Sequence, residues 1–413
     1  MRIIPILLPF LLFSISCFLC ESCTQTVKTI TNNHLREIEI KTNLSYIQKV
    51  NLSTVASNIE YCVLENDKKC LVTPEMSIYC SKDYIVTIGL QRPSQGVCYV
   101  FERKTGKFVR QISSQGRGPG EYLETISSFW DGDKEQICMW NGNKYLFYNL
   151  NGTLSHQINR FSQRTMGGFV AHKDYYAGYV KNLYGNATIR LAFYDKSGIL
   201  IDSIPNYRCW ERTKSTPLSG SLDHWLYVFN DNLYFKELYC DTLYQIKDFM
   251  LHPCYIFNTG GLTVPYEMQT GGGRYDVLAQ IRGGEYDRYE KYVNIIKILE
   301  DNKHLYFEIE YRKQIYPAIY DKIEDKLQIM PPVSIPQNMK DVAQLFGFEN
   351  DLDGGLPFWP QHIISDKEMM CVYTAEELLE LDISKITDEK LKNVLNSMNE
   401  ESNPVITIVT LKE

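Results

Sequence analysis

The chain has 413 residues, 44% of them hydrophobic and 23% charged, too apolar a mixture for a disordered polypeptide. A formal net charge of −7, with no basic stripe, excludes a surface built to track nucleic-acid phosphates. Aromatic residues reach 13%, with 29 Tyr and 18 Phe, side chains that suit the half-buried pleat of a β-sheet.

The first predicted element lies outside the fold. Arg2 supplies one positive charge ahead of an apolar run from Ile3 to Cys20, the layout of a secretory signal. Pro5 and Pro9 argue against reading that run as a membrane-spanning helix. Cys17 follows Ser14-Ile15-Ser16 and so has the small preceding residue that a lipid-attachment cysteine needs, whereas Cys20 follows the bulky Phe18-Leu19. Cys17 is the expected lipid anchor, with Cys23 as the alternative if cleavage falls later. The chain thus divides into a signal with its anchor over 1–23, a linker over 24–40 and a folded domain over 41–413.

Internal repetition dominates the folded domain. Val97–Phe101, the turn Lys104-Thr105-Gly106-Lys107 and Phe108–Ile112 form one aromatic hairpin pattern. Tyr145–Tyr148 with Gly152 and Leu191–Tyr194 with Gly198 repeat it, and a fourth copy, Leu233–Phe235 through Asp241 to Leu243–Ile246, lacks the glycine. Asp, Asn or Lys followed by Gly is the chemistry of a hairpin position with positive φ. Gly106, Gly152 and Gly198 recur at about 45 residues, the length of a four-stranded propeller blade. Leu305–Tyr311 with Ile315–Tyr320, and Glu368–Tyr373 with Val405–Leu411, continue the series. The expected fold is therefore all-β, a six-bladed β-propeller in which small sheets bury their faces against their neighbours. Leu378, Leu379, Leu391, Val394 and Leu395 fall at helical spacing behind Thr374 and Thr387, predicting a short helical insertion in the last blade. The glycine-rich stretch from Gly260 to Gly284 reads as long loops.

Residues that could carry chemistry are sparse. Gln115-Gly116-Arg117-Gly118-Pro119-Gly120-Glu121-Tyr122 has no Lys-Ser/Thr behind its glycines, so it is no phosphate loop. It reads as a blade-to-blade turn in which Arg117 and Glu121 clasp each other or nearby backbone groups. Alternatively, Arg117, Glu121 and Tyr122 face the channel mouth and bind a polar ligand. Asp351-Leu352-Asp353-Gly354 lacks the later ligands of a calcium loop and reads as a polar turn. The histidines are scattered, the cysteines show no zinc spacing, and no Gly-x-Ser-x-Gly elbow occurs, so no metal, cofactor or catalytic set is assigned. Export permits one disulfide, Cys62 to Cys70 or Cys80 to Cys98. Trp130, Trp140, Trp210, Trp225 and Trp359 read as core residues, with sugar stacking as the other use.

The run from Phe101 through Gly106-Lys107 and Phe108-Val109 to Gly116–Tyr122 resembles the six-bladed β-propeller lipoproteins of Bacteroides and relatives, which are NHL-like. Ile59–Glu65 is similar to that family's opening strand and Asn403–Ile406 to its closing strand. The resemblance implies an exported protein held on the outer membrane by lipid, with the first and last strands sharing one blade. It also implies one of two functions. One is a binding or scaffold module for a glycan, peptide or outer-membrane protein. The alternative is a hydrolase or lyase with its site at the central channel, which rests on fold analogy.

Overall fold

The computed structural model describes residues 35–413, save 74–75, 90–96, 133, 163–165, 183–184, 210–223, 266–288, 336–343, 387 and 413. The signal stretch with Cys17 and Cys23 and most of the glycine-rich stretch lie outside the described residues.

The chain enters through β1 (Arg36–Glu39), the short helix α1 (Ile40–Asn43) and β2 (Ala56–Val63). Blade 1 holds β3 (Ser77–Cys80), β4 (Tyr84–Ile88), β5 (Cys98–Glu102) and β6 (Phe108–Gln111). Blade 2 holds β7 (Glu124–Asp131), β8 (Gln136–Asn141), β9 (Lys144–Asn149) and β10 (Leu154–Asn159). Blade 3 comprises β11 (Met166–His172), β12 (Tyr175–Val180), β13 (Ile189–Asp195) and β14 (Leu200–Pro205). Blade 4 is β15 (His224–Phe229), β16 (Asn232–Glu237), β17 (Thr242–Lys247) and β18 (Met250–Asn258). In blade 5, β19 (Asn294–Glu300), β20 (His304–Tyr311), β21 (Gln314–Asp321) and β22 (Lys326–Ile329) are joined by the two-residue β23 (Val333–Ser334). Blade 6 takes β24 (His362–Ser365), β25 (Glu368–Tyr373) and β26 (Val405–Leu411), with helices α2 (Ala375–Leu379) and α3 (Glu389–Asn396) between the last two.

These six sheets form a six-bladed β-propeller. Its first strands touch round a ring, β7 to β11, β11 to β15, β15 to β19, β19 to β24 and β24 to β3. Alternation along a strand explains why the blades hold together. On β5, Cys98 and Val100 pack with Ile137, Met139 and Tyr148 of blade 2, while Tyr99 and Phe101 pack with Met370 and Ile408 of blade 6. A middle strand buried on both faces reads as a nearly continuous apolar run, as in the buried centre of β9. Outermost strands such as β6 and β14 are largely exposed.

The expected closure is present: β2, the strand that holds Ile59–Val63, pairs antiparallel with β26 from Val63↔Val405 to Ala56↔Leu411, so the two share blade 6. Arg103 of blade 1 ties its own blade to blade 6 with two hydrogen bonds to the Glu368 carboxylate, at 2.6 and 3.0 Å. Gly106 needs its freedom, since it stands at φ +68° and a Cβ there would collide with the Val63 carbonyl.

Two expectations need adjusting. The stretch 24–40, read as a linker, already contains β1, which pairs in parallel with β18 and buries Ile38 and Ile40 against blades 4 and 5. From there the chain runs along the rim: Gln48 N–H donates to Ile329 O at 2.9 Å beside β22, and Asn51 bridges Glu349 before β2 begins. This belt covers the outer edges of blades 4, 5 and 6 in turn. The fourth hairpin is also offset by one strand from its expected place. Asp241 joins β16 to β17, and the turn equivalent to Gly198 is Asp248-Phe249, both at positive φ, with no glycine to announce it.

The helical insertion is where it was expected. Thr374 and Glu377 form a reciprocal capping box at the start of α2. Asp388 caps α3 by accepting from Leu391 N–H, and Thr387 lies outside the described residues. Leu378, Leu391 and Leu395 bury the insertion against blade 6.

Candidate functional site

The Gly-rich octapeptide links β6 to β7 and closes on itself. Glu121 accepts the Gly118 N–H at 2.6 Å and the Ser114 hydroxyl at 3.3 Å, so it clasps backbone and a serine, not Arg117. Gly116 donates to Tyr122 O at 2.9 Å, and Ser113 and Tyr148 hydroxyls both donate to Gly120 O, at 2.6 and 2.8 Å. Tyr122 is 0% exposed and packs in the core between blades 1 and 2. Arg117 alone of the three expected ligand residues stands in solvent. The segment therefore has the geometry of a structural clasp, and it does not bring Arg117, Glu121 and Tyr122 to one binding surface.

A different set of side chains meets where the first strands converge. Tyr79 of β3 lies with its ring centroid 5.4 Å from His362 of β24 and 6.4 Å from Trp130 of β7, stacked on the tryptophan at 25°. Blades 6, 1 and 2 thus place three rings in series, possible only near the axis where first strands are neighbours. Tyr79, Trp130 and His362 are each partly buried residues, Tyr79 and Trp130 packing against the core between blades 1 and 2. Blade 5 adds Lys297 from β19, whose ammonium sits 3.4 Å from Glu308 of β20. The Trp359 indole N–H fixes that carboxylate at 3.0 Å. Burial, and then the Lys297 charge, push the His362 imidazole down to about 4. Burial also pushes the Tyr79 phenol up, against an opposing hydrogen bond from Ser77. At neutral pH the set is three uncharged rings beside one cation, suited to stacking and hydrogen bonding.

Of these residues, the sequence pattern points to Trp130 and Trp359 and passes over Tyr79, Lys297 and His362. It holds one signal for the rest: Lys297 interrupts the aliphatic run Ile295-Ile296-Lys297-Ile298-Leu299.

Other buried polar groups have structural partners. Lys236 is 0% exposed and donates to the carbonyls of Glu237 at 2.9 Å, Leu238 at 3.5 Å and Ile295 at 3.0 Å, tying blade 4 to blade 5. Glu237 receives Arg190 at 2.5 Å and Arg208 at 3.3 Å. Asp301 accepts Tyr306 OH at 2.6 Å and the backbone N–H groups of Lys303 and His304. The turn at Asp351–Gly354 is spent on local bonds: Asp351 accepts from Ser53, and Asp353 from Tyr61 OH and Gly355 N–H.

Cys62, Cys70, Cys80 and Cys98 are all free thiols, which corrects both disulfide options. Cys80 and Cys98 lie on opposite faces of blade 1, in different cores, and Cys62 and Cys70 donate separately to Arg103 O and Glu65 O. Among the described residues no group of three or more His, Cys, Asp or Glu is placed to hold a metal, and no helix is long and apolar enough to cross a membrane.

Known proteins share this architecture. A protein of Bacteroides fragilis described as exported is similar in structure over 92% of this chain and 100% of its own, with a TM-score of 0.65 at 18% identity. A DUF4221 family member from Bacteroides vulgatus is similar over 87% of this chain and 97% of its own, with a TM-score of 0.51 at 11% identity. At such identities the likeness extends to the fold alone. No curated protein matches the sequence. The profile of a domain of unknown function, DUF4934, matches residues 35–410, from the first rim strand to the closing strand, and the chain belongs to that family.

Proposed function

We propose that this protein is an exported binding module of the NHL-like lipoprotein kind, anchored to the outer membrane by acylation of Cys17 or Cys23, whose ligand seat is the axis of the propeller. The observation that carries the reading is the series His362, Tyr79 and Trp130 beside Lys297, drawn from four consecutive blades. Aromatic faces with a neutral imidazole and an ammonium suit a glycan, which stacks its ring faces and hydrogen-bonds its hydroxyls. A peptide or outer-membrane protein partner would use the same face of the disc. Export is supported by the charged, then apolar start of the sequence and by the B. fragilis neighbour described as exported, and the proposed anchor rests on Cys17 following the small Ser16.

A glycan array on the purified protein tests the seat. Tyr79→Ala and Trp130→Ala are each expected to weaken a hit by about tenfold, as loss of a stacking contact does. Hits unaffected by both substitutions would remove the axis as the seat. Product analysis in the same assay detects turnover, which would favour the hydrolase or lyase alternative. Fatty-acid labelling of Cys17→Ser and Cys23→Ser cells identifies the anchor, and label retained in the double variant rules out both.

A further inference from the structure

Strand β19 carries a residue its pattern does not need. In a regular strand, residues three apart point to opposite faces. Ile295 and Ile298 nonetheless pack in the same core, between blades 4 and 5. The register against β20 slips between Ile296 and Ile298, and Lys297, the extra residue, stands at φ +47°. A left-handed conformation costs a side-chain-bearing residue about 1 kcal/mol or more, and such positions gather at functional sites. A bulge is also a device for re-aiming a side chain. Here it lets the isoleucines stay buried while the lysine is turned to the side shared with blade 6, its ammonium 3.4 Å from the Glu308 carboxylate that Trp359 holds.

The ammonium is not consumed by the fold. Its side chain is 34% exposed, and Glu308 at 3.4 Å is its ion-pair partner among the described residues. Glu308 is itself held by Trp359 at 3.0 Å, so it fixes where the cation sits without enclosing it. Lys236, by contrast, places its ammonium against three carbonyls. A half-open cation beside uncharged aromatic rings is complementary to a ligand with both ring faces and a negative charge.

We propose that Lys297 is the specificity-determining residue of the axial site and that the ligand is an acidic saccharide of the uronic-acid class, its carboxylate meeting the ammonium while its ring faces lie on Tyr79 and Trp130. This rests on the axial reading above and deepens it. His362, uncharged, adds one hydrogen bond to a hydroxyl and does not compete for the carboxylate.

Isothermal titration calorimetry of the purified protein with trigalacturonic acid and with galactotriose, its neutral counterpart, tests this. Trigalacturonic acid is expected to bind ten- to a hundredfold more tightly, roughly the worth of a hydrogen bond to a charged group, and to lose part of that margin in high salt. Lys297→Met should bring the two sugars to equal affinity with the fold intact by circular dichroism, and Lys297→Arg should restore most of the preference. Equal binding of both sugars by the native protein, or a preference that survives Lys297→Met, overturns the inference and leaves the axial seat standing. Binding of neither sugar also overturns the inference, and the glycan array with Tyr79→Ala and Trp130→Ala then decides the axial seat by itself.

Discussion

The Glu121 carboxylate accepts the Gly118 backbone N–H at 2.6 Å, three residues back along the chain, and this bond organises the loop between blades 1 and 2. A Cβ on Gly116 would run into the same carboxylate, and one on Gly118 would come within 2.9 Å of it.

Gly116→Ala should therefore displace Glu121 and destabilise the protein by about 1–3 kcal/mol, the range for a broken charge-assisted bond. Arg117→Ala should change stability by less than about 0.5 kcal/mol, since the side chain is exposed. Urea unfolding of the two variants distinguishes a clasp from a ligand loop. Equal effects would contradict the clasp.

Lys236 tests how blades 4 and 5 are tied. Lys236→Met keeps the length and apolar stem but leaves the Glu237 and Ile295 carbonyls without their donor. A loss of about 1–3 kcal/mol is expected, seen as a lower urea midpoint. Burial pushes this ammonium down to about 8, below its usual range. The folded state therefore binds fewer protons than the unfolded one between about 8 and 10.4, and the burial penalty, complete below pH 8, is relieved as pH rises through that window. The native protein should gain from this group on alkaline titration, and Lys236→Met should not.

The rim belt is the next test. Ile38 is 1% exposed and pairs with Phe257 on the outer edge of blade 4. Ile38→Asp would bury an unpaired charge, so about 3 kcal/mol or more of stability is at stake unless β1 detaches. Hydrogen exchange separates the outcomes. Detachment should speed exchange along β18, leaving β5 and β9 protected as before. Unchanged protection on β18 together with an unchanged urea midpoint would mean that β1 is not what covers that edge.

His362 predicts a specific acid response. Its folded pKa of about 4 lies below the roughly 6.5 of an unfolded chain, so the folded state binds fewer protons between those values. The stability it contributes is complete above about pH 6.5 and is lost as pH falls toward 4. The native protein should lose of the order of 1–3 kcal/mol more than His362→Gln between pH 7 and pH 4.5. Parallel pH profiles would show that the imidazole titrates normally.

Much of the fold is legible without coordinates because propeller blades are local objects. Gly106, Gly152 and Gly198 mark hairpins formed by residues adjacent in sequence, and the turn chemistry at each is set by a few neighbouring atoms. Asp241 misleads, because the true hairpin, Asp248-Phe249, reaches positive φ without glycine. Strand β1 is hidden in the same way, because four residues that add to a distant strand carry no hairpin partner beside them.

The axial set is illegible for the opposite reason. Tyr79, Trp130, Lys297 and His362 lie on strands that only ring closure makes neighbours, and no spacing along the chain encodes that approach. Tyr122 goes the other way, since its place beside Glu121 in sequence suggests a shared surface that the turn of the backbone denies it. The order of residues by itself determined the repeating hairpins, the apolar middle strands and the helical insertion, all consequences of short-range backbone chemistry and alternation. Only the closed ring decided which side chains meet at the axis, because that depends on how six small sheets pack face to face around a common centre.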